Sequence, residues 1–143
     1  MHLNTPFTPS SAAAPLSNIA RGAVGVGGLI LLAVGLPIFF GPLAYQAGMG
    51  VTLPADPTLL SDMRAMAGSL IGFGLLLLAG ALWRRLGPPA VLAGAILFSS
   101  YGLSRLISFV VDGLPSSALI GGAAVELLVG GTLAAIALRG GAR

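Results

Sequence analysis

Four runs of about twenty residues with almost no charge dictate the solvent in which this chain folds. They cover about residues 22–43, 65–83, 90–111 and 117–138. At a rise of about 1.5 Å per residue, each is long enough as a helix to cross a hydrocarbon layer of about 30 Å. A helix satisfies its own backbone N–H and C=O groups, whereas an open strand in lipid leaves them unpaired. The runs therefore predict an all-α fold, an integral membrane four-helix bundle. Composition agrees, since 56% of the 143 residues are hydrophobic and 8% charged, against about a quarter charged in soluble domains.

Turn and cap chemistry punctuates the runs. Pro88 and Pro89 open the third, "DGLPSS" separates third from fourth, and Gly140 and Gly141 follow the last. Asp56 before Pro57 has the form of an N-cap with a first-turn proline, so the second helix is expected to begin before it enters the lipid. Pro37 frees the carbonyl of Ala33, and with Gly41 and Pro42 just beyond, a kink is expected near that end of the first helix. The uncharged stretch from Ala44 to Ser61 is long for a connection and is expected to fold over the bundle or meet a partner. Residues 1–18, rich in Pro, Ser and Ala, read as a mobile tail ahead of a membrane domain over 19–143. They lack the basic start of a signal peptide, so the first span is expected to be retained.

Charge placement sets the expected orientation. All seven basic residues are arginines, and they form no cluster larger than Arg84 with Arg85, which argues against a nucleic-acid partner. Arg21, Arg84, Arg85, Arg139 and Arg143 fall on one side of four spans, while Asp56, Asp62 and Asp112 fall on the other with Arg64. The excess of arginine predicts cytoplasmic termini for a multi-pass protein of a bacterial inner membrane, with Trp83 and Tyr45 as aromatic anchors at the two borders. The absence of cysteine removes thiolate metal sites and iron-sulfur clusters of the usual kind. His2 stands alone in the tail, and no metal, cofactor or nucleophile motif is present.

Two charges remain inside the spans. Counted from the middle of its helix, Arg105 lies about 7 Å toward the border opposite the termini, and Glu126 lies about 3 Å toward the same border. A guanidinium reaches across that difference, so the two are expected to pair. Arg64 and Asp112 lie at similar depths, about 15 to 18 Å from the middle, which predicts a second pair there with Asp62 as a competitor. Tyr101, Arg105, Ser108 and Asp112 recur at spacings of four, three and four, placing them on one helix face with Ser104 beside them. A charge at the centre of a span costs about 2.5 to 3.5 kcal/mol on insertion scales, and such residues commonly mark function. The competing explanation is a lock that fixes helix register. Gly68 and Gly72, beside Ser69, form a G-x-x-x-G pattern suited to close helix packing.

"SDMRAMAGSLIGFGLLLL" from Ser61, "SRLISFVVDGLPSS" from Ser104, and Glu126 in the last run together resemble domain-of-unknown-function family 4345, small bacterial four-helix membrane proteins. The resemblance covers about residues 22–139 and maps the family pattern onto Arg64 with Gly68, Arg105, Asp112 with Gly113 and Pro115, and Glu126. It departs at Ala67, where the family has an aromatic before the glycine. It implies the fold and the charged site but no activity. The expected role is non-enzymatic: an accessory or scaffold subunit of a larger bioenergetic or transport complex, with membrane lipids and its fellow subunits as partners. The alternative is a binder or carrier of a small amphiphile, lipid or quinone, in the Arg105–Glu126 pocket. An intramembrane enzyme with Glu126 as general base ranks last.

Overall fold

A computed structural model describes residues 16–141. Within them the chain is helical with no strand: α1 (Asn18–Phe40), α2 (Pro42–Gly48), α3 (Pro57–Leu82), a single 3-10 turn over Arg84–Leu86, α4 (Gly87–Val111) and α5 (Ser117–Gly141). The four long helices are each apolar enough to cross a membrane. Of the expected tail, residues 1–15, including His2, lie outside the described residues. Residues 16–18 belong to the bundle: the Ser17 side chain caps α1 by accepting from the Ala20 N–H at 3.2 Å, and Leu16 packs against the core.

The helix ends follow local chemistry more closely than hydropathy. The first span starts four residues earlier than its apolar run, at the Ser17 cap, and stops at Phe40. It stops there because Pro42 has no N–H to continue the ladder. Asp56 caps α3 by accepting from the Leu59 N–H at 2.9 Å, and Pro57 occupies the first turn as expected. Pro88 and Pro89 lie inside the first turn of α4 rather than before it, where missing N–H donors cost nothing. The Gly140–Gly141 pair does not end α5, which runs through Gly141.

The long helices pack as two antiparallel pairs, α1 with α3 and α4 with α5, joined mainly through α3 and α4. In the first pair the backbones meet at Gly28 and Gly74. A Cβ at Gly28 would stand 2.8 Å from the Gly74 carbonyl oxygen. Each helix also contributes an arginine to the other's C-terminus. Arg21 Nε donates to the Ala81 carbonyl at 2.8 Å, and Arg64 Nε to the Phe39 carbonyl at 3.3 Å. Both carbonyls belong to a final helical turn that lacks intrahelical donors and carries the negative end of the dipole.

In the second pair, Leu127 seats on Gly102 and Leu133 on Gly94, each 2.7 Å from where a Cβ would stand. Gly130 lies equally close to the Ser99 backbone. The largest fully buried side chains, Phe98, Leu77, Leu133 and Val24, lie at mid-height or toward the end that holds the termini. At the opposite, distal end the α4–α5 pair stands apart: no residue from 103 to 122 is buried. A cleft opens there between the two pairs.

Gly68 and Gly72 do not make the expected packing seam. A Cβ at either meets nothing within 4 Å, so this face of α3 turns away from the bundle.

Candidate functional site

The register of α4 against α5 is what brings the two interior charges together. Leu127 covers Gly102, so Glu126 comes level with the next turn of α4, which carries Arg105. Arg105 Nε donates to Glu126 Oε2 at 2.7 Å, and the two side chains are 32% and 16% exposed. The pair is thus half-buried at the wall of the cleft rather than sealed in the core. Among the described residues no polar or charged residue is fully buried.

The distal charges pair differently from expectation. Arg64 is committed to the Phe39 carbonyl, and Asp112 accepts from Ser108 Oγ at 2.9 Å within its own helix. Arg105–Glu126 is the ion pair found among the described residues, and Asp62 is exposed. Depth alone predicted an Arg64–Asp112 pair. α3 instead turns Arg64 toward α1, where a helix end offers a nearer acceptor.

The cleft has a volume of about 460 Å³, within the roughly 300 to 1,000 Å³ of small-molecule sites. Its walls are apolar: Leu31 and Ile38 from α1, Leu70 from α3, Leu97 and Phe98 from α4. Tyr101, Ser104, Arg105 and Ser108 from α4 converge on it with Glu126 from α5. Tyr45, Gln46 and Met49 of the α2 region line it from the distal side. Tyr45 is therefore also a cleft residue packed against the core. Sequence reading missed Gln46 and Met49. The available signal was Gly41–Pro42, a stop followed by a helix start, which marks a short separate helix but not where it packs.

The polar end of the cleft is underused by the protein. A guanidinium has five N–H donors, and only the Arg105 Nε–H finds a protein acceptor among the described residues. Among the described residues the Tyr101 and Ser104 hydroxyls and the second Glu126 oxygen also lack protein partners, and no side-chain nitrogen or oxygen is both buried and unpartnered. Their residues, Tyr101, Ser104, Arg105 and Glu126, all line the cleft. A second groove, of about 420 Å³ between α3 and α4, includes Phe73, Leu92 and Ile96 in its lining. Its one hydroxyl, on Ser100, is already bonded to the carbonyls of Ile96 and Leu97 at 2.8 and 2.9 Å. Among the described residues no three His, Cys, Asp or Glu side chains gather as a metal site.

Four apolar helices and a half-open cleft carrying an interior ion pair define a multi-pass helical membrane protein with a polar site below its distal surface. The chain belongs to the family described as Domain of unknown function (DUF4345), whose model matches residues 19–137. No curated protein and no solved structure matches it.

Proposed function

We propose that this protein is a non-enzymatic multi-pass protein of a bacterial inner membrane, with cytoplasmic termini, that binds or carries a small amphiphile in the Arg105–Glu126 cleft. The observation that carries this reading is the set of unpartnered polar groups gathered at one end of an apolar cavity. A pair built only to lock two helices gains most when its remaining lone pairs and protons are satisfied by the protein. Here the surplus faces the cleft. Native mass spectrometry after purification in mild detergent tests the idea: the native protein is expected to carry one amphiphile per chain. A chain that is always empty would remove it.

A second reading, the accessory or scaffold subunit, draws on α5. Over its apolar window α5 is 17% buried, against 28% to 33% for the other spans, and Gly121, Gly122 and Gly131 meet nothing within 4 Å. Stable co-purifying proteins, rather than a bound amphiphile, are the expected result for that role.

The orientation rests on Arg84, Arg85 and Arg139 at the terminal end. Because the chain has no cysteine, single cysteines report it cleanly. In intact cells a membrane-impermeant thiol reagent is expected to label Asp56→Cys and to spare Arg85→Cys. The reverse pattern would invert the topology.

A further inference from the structure

The donors and acceptors facing the cleft restrict the head group it accepts, if the cleft is a binding site as proposed above. Both terminal nitrogens of Arg105 and the hydroxyls of Tyr101 and Ser104 offer protons there, while the accessible acceptor with charge is the second oxygen of Glu126. The site is rich in donors, so it suits a head rich in oxygen acceptors. Its formal charge already sums to zero, because Glu126 neutralises Arg105. An anionic head would leave a net negative charge beside a carboxylate at hydrocarbon depth, where like charges are poorly screened. A cationic head would face the guanidinium. An uncharged head meets neither penalty.

Volume restricts the tail. At about 460 Å³ the cleft falls in the lower half of the roughly 300 to 1,000 Å³ range of small-molecule sites. That is room for one medium-length tail with a small head, and far less than a two-tailed phospholipid fills.

We infer that the cleft takes a single-tailed amphiphile with an uncharged, carbonyl-bearing head, its carbonyl oxygen on the terminal N–H groups of Arg105 and its tail along Leu31, Leu70 and Phe98. A quinone ring and an acyl ester share this chemistry.

The test uses the full chain in nanodiscs and four probes compared by native mass spectrometry: methyl dodecanoate, a decyl-substituted benzoquinone, dodecyl sulfonate and dodecane. One or both carbonyl probes are expected to bind with one per chain, at least about tenfold tighter than the sulfonate or the alkane, which is about 1.4 kcal/mol. Preference for the ring or for the ester identifies which source the site selects. Arg105→Met combined with Glu126→Met is expected to abolish the preference for a carbonyl. Tyr101→Phe with Ser104→Ala, which leaves the ion pair in place, is expected to reduce it. Equal or tighter binding of the sulfonate would overturn the uncharged head while leaving the cleft a binding site. Equal binding of dodecane would make it a lipid groove without head recognition, and failure of all four probes would remove the cleft reading itself.

Discussion

Reversing one charge of the interior pair, by Arg105→Glu or by Glu126→Arg, is expected to destabilise the bundle by up to about 3 kcal/mol, below the cost of breaking a fully buried pair because both side chains are part-exposed at the cleft. Thermal or denaturant unfolding in one detergent, followed by helical circular dichroism, measures it. The loss arises because α4 and α5 cannot separate to relieve two like charges without lifting Leu127 off Gly102 and Gly130 off Ser99. Exchanging the charges, with both substitutions in one chain, is expected to recover most of the stability. Replacing both by methionine is expected to be near neutral, since an apolar pair of similar volume carries no desolvation cost. Additive losses in the exchanged chain would mean that the two residues are not coupled.

The exchanged chain also separates a lock from a site. In the native arrangement the surplus N–H donors project from α4, beside Tyr101 and Ser104. After exchange they project from α5 and point across the cleft from another side. Stability is then expected to return without amphiphile binding. Full return of binding would mean that the pair selects nothing and only holds the helices together.

The Arg105–Glu126 pair was legible in the sequence because depth in a span is a linear function of residue number, and consecutive spans run in opposite directions. Two side chains at matching depth on adjacent helices need only a shared face to meet. Arg64 was not legible on the same basis. Its acceptor is the Phe39 carbonyl, and a backbone carbonyl has no residue identity to read. Arg21 shows the same limit: it is the expected topology marker in the sequence and also a cap for α3 in the fold. The cleft itself depends on how two helix pairs diverge, which no local pattern encodes. Tyr45 and Gln46 join it through a seven-residue helix whose position is set by packing on α1 and α3.

The glycines give the other large expected effect, and they divide by what surrounds them rather than by their spacing. A methyl at Gly28 would press on the Gly74 carbonyl at 2.8 Å and the Leu78 side chain at 2.9 Å, and one at Gly80 would overlap the Ala90 side chain and stand 2.9 Å from the Leu86 carbonyl. At each site a backbone carbonyl is among the atoms met, and the Ala90 Cβ cannot turn away, so no rotamer change absorbs the clash. Gly28→Ala and Gly80→Ala are therefore each expected to cost about 1 to 3 kcal/mol by overpacking, read as a lower unfolding midpoint in detergent. Gly68→Ala and Gly72→Ala introduce a methyl into open space. Each is expected to leave stability unchanged or raise it by up to about 1 kcal/mol, because alanine loses less backbone entropy in a helix. The G-x-x-x-G spacing makes the opposite forecast, with the loss at Gly68 and Gly72. A loss at those two positions in a lipid bilayer that is absent from the isolated chain in detergent would show that another surface covers this face of α3 in the membrane.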